Sequence, residues 1–337
     1  MGNRVTMADV AELARVSAIT VSRVINQPNK VSEAVRQKVE DAIEALGYIP
    51  NRSASALASA RSGVIGVVIP SLSNSVFNDV LQGIYSVAGP AGYQVVLADS
   101  HYSPLEEEQM VRTLLGQSPE AMIITGSNQT RQTRNLLQAA DIPIVQLMEF
   151  VEQPLDMCVG FSHRQAAFEA VNHMLAAGYQ KLGFLGARMD PRAQQRLQGY
   201  IQAMEQAARY SEDWVVTTPR PSSIAVGVEL FNSLMSKSAG ECDAVFCVND
   251  DLALGTLFEC QRMHIAVPDR MAICGFNDIE ASALVNPPLS SVRVPRYDMG
   301  AKATEMVLGV LVGDAVEEKQ INCGYQLIVR ESTSAKR

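Results

Sequence analysis

The first 47 residues of this 337-residue chain carry the signals of three short helices separated by very little sequence. Thr6 and Asp9 form a Thr-x-x-Asp pair, in which the hydroxyl can accept a bond from a free amide and the carboxylate lies in the positive first turn of a helix. Ser17 can cap a second helix over residues 18–26 after a very tight turn. A third helix should end at Gly47, because glycine tolerates the left-handed cap. Helices arranged in this way predict a helix-turn-helix unit.

The start of the second helix is the part of such a unit that enters the major groove of DNA. Arg23 can bridge phosphates or contact a guanine edge, and Ile19 can contact a thymine methyl group. The alternative is that these side chains only solvate a helix face, because the pattern by itself produces many false matches. The head residues predicted to contact DNA are Thr6, Ser17, Ala18, Ile19, Thr20, Ser22, Arg23 and Asn26.

Charge is distributed unevenly along the chain. Residues 1–61 contain eight Lys and Arg and six Asp and Glu, whereas the remaining residues contain 20 and 30, and the net charge of the whole chain is −8. The basic excess of the head is small, so we expect weak nonspecific DNA binding and a need for two heads. No apolar run is long enough to span a bilayer and no export signal precedes the head, which predicts a cytoplasmic protein.

The six cysteines are scattered without CxxC pairs, in apolar surroundings. They are interpreted as small core residues, not as metal ligands or disulfide partners, and we expect neither a metal nor a cofactor.

The rest of the chain alternates short apolar strands with helices. Continuous apolar strands separated by helices predict parallel sheets that are covered on both faces, and the pattern occurs twice, which predicts two lobes. We therefore expect an all-α head followed by an α/β body of two doubly wound parallel-sheet lobes. The predicted strands are residues 64–69, 93–98, 121–124 and 144–147 in the first series and 181–185, 215–217, 244–248 and 271–275 in the second.

Short motifs lie in residues 5–14, 16–17, 20–26, 46–51 and 327–333. Together they resemble the lac-repressor (LacI/GalR) family along essentially the whole chain. The resemblance implies a body of the type I periplasmic-binding-protein kind, in which the chain crosses between the lobes near Gly160, Ser290 and Asn322 and holds a ligand in the cleft. One departure is Arg15, where the family usually has glycine in the turn; a positive φ there would be strained.

The division implied by this resemblance has three parts. A DNA-binding domain covers residues 1–50, a hinge helix and linker cover 51–61, and the effector-binding and dimerisation body covers 62–337. Within the body, lobe 1 takes residues 62–160 and 291–321, and lobe 2 takes residues 161–290 and 322–337.

The hinge is rich in Ala and Ser, with Leu57 as its one large apolar residue. So short a helix is marginal alone. The resemblance implies that it folds when two copies meet on operator DNA and that Leu57 enters the minor groove. A plain flexible linker is the alternative. The hinge residues expected at the DNA are Asn51, Arg52, Ala54 and Leu57.

Polar residues at strand ends are the candidates for an effector site, since ligands bind there in open α/β sheets. The loop after the first strand and the positions matching the family's effector sites predict one set of contacts. These are Asn74, Phe77, Gln146, Glu149, Ser162, Arg196, Asn249, Asn277 and Arg296.

Two arginines of this set decide the kind of ligand. Arg196 and Arg296 would supply a fixed positive pair suited to a carboxylate or phosphate, although Arg296 could instead be solvated or paired with Asp298. Residues 142–149, 159–161, 245–253 and 258–262 look most like the gluconate-utilisation repressors of the family. A sugar acid such as gluconate, or a keto or phosphorylated relative, is the expected effector, with a neutral sugar or nucleoside as the alternative.

The expected function is a transcriptional regulator, a repressor of sugar-acid catabolic genes that leaves its operator when the effector binds. Two half-sites at fixed spacing require a homodimer on a pseudo-palindromic operator. An α/β enzyme is not favoured, because Gly63 and Gly183 do not begin a GxGxxG loop between strand and helix. A solute-binding protein would carry an export signal in place of the head.

Overall fold

The computed structural model describes residues 5–49 and 61–334. They belong to two compact units, Met1–Gly63 and Val64–Arg337. The four predicted hinge contacts, from Asn51 to Leu57, lie outside the described residues, and so does the side chain of Asn26.

The head contains the three predicted helices. They are α1 (Met7–Ala14), α2 (Ala18–Asn26) and α3 (Glu33–Leu46), with a 3₁₀ turn at Pro28–Lys30 between the last two. The predicted bond from a backbone amide to the Thr6 hydroxyl is confirmed, since the Asp9 N–H donates to it, and the Thr6 N–H also donates to Asp9 over 2.7 Å, which completes a capping box. A small core fills the space between the helices and contains Val10, Ala11, Ala14, Val21, Val24, Val39, Ala42 and Tyr48.

The tight turn between α1 and α2 places Arg15 in the left-handed region, with φ 54° and ψ 48°. Its backbone N–H caps α1 by donating to carbonyls of the last turn. A side chain with a β-carbon costs roughly 1 kcal/mol or more in this conformation, so the turn is strained at Arg15, as expected for a residue in place of glycine.

The first sheet of the body has six strands, all parallel, in the order β11-β5-β4-β3-β1-β2. Its strands are β1 (Val64–Ile69), β2 (Gln94–Asp99), β3 (Ala121–Thr125), β4 (Ile144–Leu147), β5 (Met157–Gly160) and β11 (Gln320–Asn322). Its helices are α4 (Val76–Ala88), α5 (Pro104–Leu115), α6 (Arg131–Ala139) and, from much later in the chain, α12 (Arg296–Val312).

The second sheet also has six strands, in the order β12-β10-β9-β8-β6-β7, and only β12 is antiparallel to its neighbour. The strands are β6 (Leu182–Ala187), β7 (Val215–Thr218), β8 (Ala244–Cys247), β9 (Ala272–Asn277), β10 (Ser290–Arg293) and β12 (Gln326–Ile328). The helices are α7 (His163–Ala176), α8 (Pro191–Gln206), α9 (Ile224–Lys237), α10 (Asp250–Arg262) and the short α11 (Glu280–Leu284).

One predicted crossing between the lobes needs correction. Ser290–Arg293 pairs with β9 as part of the second sheet, so the chain leaves this lobe after Arg293 and not at Ser290. The next segment, α12, packs on α4 of the first lobe. The contact is close because Gly83 and Gly300 face the backbone of the opposite helix, and a β-carbon at either position would overlap it.

In the part of the chain that the structure covers, no helix is both long and apolar enough to cross a membrane.

Candidate functional site

The second helix of the head presents a polar and partly apolar face to solvent. The hydroxyl of Ser17 accepts a bond from the Thr20 N–H over 3.2 Å and lies 2.9 Å from the Thr20 hydroxyl, which fixes the start of α2. Ile19 is 65% exposed, and Ala18 and Arg23 are also exposed. An exposed isoleucine beside an arginine has the chemistry to contact base edges and phosphates, because it offers both methyl groups and a charged donor.

The body contains a cavity between the two lobes, of about 950 Å³ including its open mouth. Loops that follow strands of both sheets form its walls. The polar residues of the wall are Ser71, Ser73, Asn74, Ser75, Tyr102, Arg188, Asp190, Arg192, Arg196, Ser222, Asn249, Asp251 and Asn277, and the apolar ones include Phe77, Met148 and Val248.

The wall from the first lobe is held by a small hydrogen-bond network. The Asn74 amide donates to the Tyr102 hydroxyl over 2.9 Å and accepts from the backbone N–H of Val76 over 3.1 Å. Phe77 begins the buried side of α4 and is only 2% exposed. These contacts fix a flat apolar surface next to an amide and a phenol.

Arg196 lies on the opposite wall and is buried against aromatic and polar groups. Its Nε donates to His163 Nδ1 over 3.2 Å, its Nη1 donates to the Val248 carbonyl over 2.6 Å, and its Cζ lies 3.7 Å from the centre of the Phe276 ring. Burial lowers the pKa of Arg196 to about 9, which still leaves it cationic at neutral pH. The group is therefore a rigid positive charge on the wall.

His163 connects this arginine to the other lobe. Because a guanidinium can only donate, Nδ1 must be the acceptor, so the proton is on Nε2, which donates to the Met148 carbonyl over 2.9 Å. Burial and the nearby Arg196 hold the pKa of His163 well below its ordinary value. The ring is therefore neutral and takes part in fixing the guanidinium, not in proton transfer.

A second arginine, Arg192, stands at the first turn of α8. Its Nε lies 3.4 Å from the Asp190 carboxylate, and its Cζ is 5.9 Å from the Phe77 ring and 5.8 Å from the Tyr102 ring. Asp190 caps α8 by accepting from the N–H groups of Arg192 and Ala193. Burial opposes the charge on Asp190, but the two arginines and these N–H bonds together lower its pKa.

Asparagines complete the wall of the second lobe. Asn249 caps α10 by accepting from the Leu252 N–H over 3.2 Å, and its amide donates to the Ser222 hydroxyl over 2.7 Å. Asn277, at the end of β9, has a left-handed φ of 111°. The next residue after Asn249, Asp250, lies buried behind the wall and accepts from Ser291 over 2.6 Å, and burial raises its pKa to about 6.

A smaller cavity of about 540 Å³ adjoins the first and shares Tyr102, Asp190 and Arg192 with it. Glu149 lines it and accepts from the Ser127 hydroxyl over 2.8 Å and from Gln195 of α8, so that it joins the two lobes. Gly160 lies against the Glu149 backbone and leaves no room for a β-carbon there. Burial raises the pKa of Glu107, also in this cavity, to about 7.

Three of the predicted effector residues lie elsewhere. The Gln146 side chain is 1% exposed, donates to Gln129 over 2.8 Å and accepts from the Leu155 N–H over 2.7 Å, all within the first lobe. Ser162 caps α7 by accepting from the Gln165 N–H. Neither side chain lines either of the two cavities described here.

Arg296 is the third. It forms an ion pair with Asp79 of α4, with an Nη2–Oδ2 distance of 2.7 Å, and donates to the Asn277 carbonyl from behind the wall. It therefore does not form the predicted pair with Arg196, and its partner is Asp79 instead of Asp298.

Comparisons with known proteins match both units. A model of bacterial regulatory proteins of the lacI family matches residues 6–51, and a periplasmic binding protein-like domain matches residues 171–333. The HTH-type transcriptional regulator GntR of Pseudomonas aeruginosa is 40% identical over 330 residues, which are 98% of this chain and 96% of that protein. The chain belongs to the LacI family.

Solved structures agree with this membership. A LacI-family transcriptional regulator from Silicibacter pomeroyi has a TM-score of 0.92 at 33% identity and covers 98% of this chain and 99% of its own. The lac repressor dimer bound to operator and the anti-inducer ONPF has a TM-score of 0.83 at 28% identity, covering 99% and 100%. This LacI-family chain is a DNA-binding transcriptional regulator and not an enzyme.

The structure of this LacI-family regulator brings together five of the predicted effector residues in the larger cavity and a sixth in the smaller one. Asn74, Phe77, Arg196, Asn249 and Asn277 line the first, and Glu149 lines the second. Their roles in binding stay predictions.

Sequence reasoning missed Tyr102, Arg188 and Arg192, which lie on the wall of the larger cavity. A usable signal existed for Arg192, since Asp190-Pro191 marks a helix start directly after a strand, where a side chain faces a ligand site. For the described residues, no group of three or more His, Cys, Asp or Glu is arranged to hold a metal ion.

Proposed function

We propose that this regulator represses genes of sugar-acid catabolism and that an open-chain sugar acid such as gluconate is its effector. The observation that carries the proposal is the charge of the larger cavity. Its wall has Arg188, Arg192 and Arg196 against Asp190 and Asp251, so cations exceed carboxylates among the wall residues. A buried guanidinium favours a carboxylate over a neutral group because the charged bond is stronger in a poorly hydrated site.

The remaining wall suits the hydroxyl-rich part of such a ligand. Serine hydroxyls and the amides of Asn74, Asn249 and Asn277 both donate and accept, which matches a chain of hydroxyl groups. Phe77 supplies an apolar surface for the carbon skeleton. A neutral sugar or nucleoside is the second candidate, since these hydroxyls and amides alone would hold it, but it would leave the excess arginine charge uncompensated.

The unit of function in this proposal is a homodimer on a pseudo-palindromic operator in the cytoplasm. Support comes from the similarity to the lac repressor, whose structure is a dimer on its operator. The division proposed for each subunit is a DNA-binding domain of residues 1–50, a hinge of residues 51–61 with Leu57 as the minor-groove wedge, and a body of residues 62–337. Thr6, Ser17, Ala18, Thr20, Ser22 and Asn26 join Ile19 and Arg23 as proposed DNA contacts.

Effector binding releases the operator only if the ligand prefers one arrangement of the lobes over the other, because a ligand shifts an equilibrium by its differential affinity. The hydrogen bonds from Arg196 to His163 and from His163 to the Met148 carbonyl give one physical route between the lobes. A ligand that binds the guanidinium and shifts it also changes the bond to this carbonyl of the other lobe.

The test compares two ligands that differ in one group. Isothermal titration of the full-length protein with gluconate and with glucitol, which replaces the carboxylate by a neutral alcohol, should give at least about tenfold tighter binding of gluconate. Arg192→Gln should remove most of that preference. Arg262→Gln, at an arginine that is 71% exposed at the far end of α10, is the control and should retain it. Equal affinity for the two ligands would favour the neutral-sugar candidate.

The direction of the response needs its own measurement. A gel-shift titration of operator DNA with gluconate should show release; tighter binding in the presence of gluconate would make the effector a corepressor.

A further inference from the structure

In the described part of the body, three loops place two successive non-glycine residues at positive φ; one is Asn277–Asp278, and the other two contact each other across the cleft. His101 and Tyr102, after β2, have φ of 49° and 60°, and Arg188 and Met189, after β6, have φ of 63° and 50°. Neither loop uses glycine at these positions. Successive left-handed residues with β-carbons are strained by roughly 1–3 kcal/mol each and persist only where surrounding contacts hold them, which occurs most often at ligand clamps and switches.

The contacts that hold the first loop are visible. The His101 N–H donates to Asp99 over 2.9 Å, and the His101 ring nitrogen lies 2.7 Å from Glu106. The Tyr102 N–H donates to the Pro70 carbonyl over 3.1 Å, and its hydroxyl accepts from Asn74. Together these bonds turn the Tyr102 ring toward the cleft.

The second loop is held in a similar way. The Arg188 N–H donates to the Arg220 carbonyl over 2.8 Å, and the Gln194 amide donates to the Met189 carbonyl over 2.9 Å. The guanidinium of Arg188 is left to point across the cleft, where its Cζ lies 4.0 Å from the centre of the Tyr102 ring. Tyr102 follows a strand of the first sheet and Arg188 a strand of the second, so this contact joins the two lobes.

We propose that Tyr102 and Arg188 form a clamp that closes the cleft and slows the escape of an anionic effector. Both residues line the larger cavity, so Arg188 can place one face of its guanidinium on the ring and its N–H groups on the ligand. The strained loops hold the two groups at this separation before the ligand arrives, which reduces the ordering cost of binding. The identity of the clamp's ligand rests on the proposed function, whereas the contact between Tyr102 and Arg188 does not.

The clamp is tested by the rate at which radiolabelled gluconate dissociates from the full-length protein after dilution into unlabelled ligand. Tyr102→Leu and Arg188→Gln should each raise this rate about 5- to 20-fold, the range of a partly desolvated cation–π contact. The double variant should dissociate no faster than the faster single variant, because the two side chains act together. Association rates should change by less than about threefold.

A conservative variant and a distant one separate the clamp from a loss of structure. Tyr102→Phe keeps the ring and should restore slow dissociation to within about threefold of the native rate. Tyr210→Leu removes an exposed tyrosine whose ring contacts Tyr200, and should leave dissociation unchanged. If Tyr102→Phe were as fast as Tyr102→Leu, or if the two single effects multiplied in the double variant, the clamp would be refuted.

Failure of the effector assignment has a different signature. If the native protein retains no gluconate, the proposed function is wrong, and the clamp is then judged without ligand. The double-mutant cycle is then applied to the unfolding equilibrium constant. The constant of the double variant should be about two- to tenfold smaller than the value obtained by multiplying the two single-variant changes. If the two changes simply multiplied, the clamp would be overturned.

Discussion

The head places most of its proposed DNA contacts on the exposed face of one nine-residue helix, whereas the body collects its proposed effector contacts from loops of two sheets around a partly enclosed cavity. The difference is one of solvation. Arg23 and Ile19 keep contact with water until DNA arrives, so their positions depend on little more than the start of α2. Arg196 is 9% exposed and depends on His163, Val248 and Phe276 for its position. Substitutions in the head should therefore change DNA affinity alone, and substitutions in the cavity should change both effector affinity and the stability of the fold.

The largest expected effect tests the head. Arg23→Ala should weaken binding to the operator by about 100-fold, because each bidentate or phosphate contact contributes roughly 1–3 kcal/mol and a dimer loses two of them. Fluorescence anisotropy with labelled operator measures the loss, and gluconate affinity should stay the same. Arg36→Ala removes a half-buried arginine of α3 that is paired with Glu33, and it serves as the control. Equal losses in the two variants would mean that α2 has no special role.

The next effect tests the cavity. Arg196→Met should weaken gluconate binding by about 30- to 100-fold, since it removes a charge-assisted bond and leaves the Val248 carbonyl and His163 Nδ1 without their donor. Operator binding without effector should remain, and the thermal unfolding temperature should fall. A variant that lost affinity with unchanged stability would show that Arg196 is less integrated in the fold than its contacts indicate.

The third prediction uses the smaller cavity and concerns stability. The pKa of Glu107 is raised to about 7 by burial, above the ordinary value of 4.5. Between pH 4.5 and pH 7 the folded state keeps a proton on the Glu107 carboxyl and the unfolded state does not. The stabilisation that comes from this proton is therefore complete below about pH 4.5 and is lost as the pH rises through 7. Relative to Glu107→Gln, the native protein should lose about 1–3 kcal/mol of unfolding free energy between pH 5 and pH 8. Parallel pH curves for the two proteins would contradict the burial of this carboxylate.

Local signals predicted the head well, because capping and helix periodicity act over three or four residues. Thr6, Ser17 and Gly47 are at the ends of the helices where their side chains and backbone conformations predict them. Four strands of each lobe were also predicted, whereas β5, β10, β11 and β12 were not. β11 and β12 have only three residues each, too few for a pattern. The place of α12 in the first lobe came from the family resemblance, because the chain reaches this helix only after the second lobe.

The cavity could be predicted only where one loop carries the information. Asn74 and Phe77 lie in the loop and helix start that come after β1, so their place near the strand ends follows from the sheet alone. Arg188 and Tyr102 reach the cleft through left-handed turns without glycine, which no sequence pattern signals. Arg296 has a partner 217 positions earlier in the chain, and only the packing of α12 on α4 brings Asp79 to it.

The smallest predicted effect returns to the head and concerns its own strained turn. Arg15→Gly should stabilise the head by roughly 0.5–1 kcal/mol, because glycine adopts φ 54° without the steric cost, although its greater freedom in the unfolded chain removes part of the gain. Hydrogen exchange of the α1 and α2 amides in the full-length protein measures this locally, and their protection should rise two- to fivefold while that of the body stays the same. Arg36→Gly, inside α3 where φ is helical, should have the opposite effect. If protection fell at Arg15→Gly instead, contacts of the arginine side chain would outweigh the strain, and the head would depend on specific side-chain packing as strongly as the cavity does.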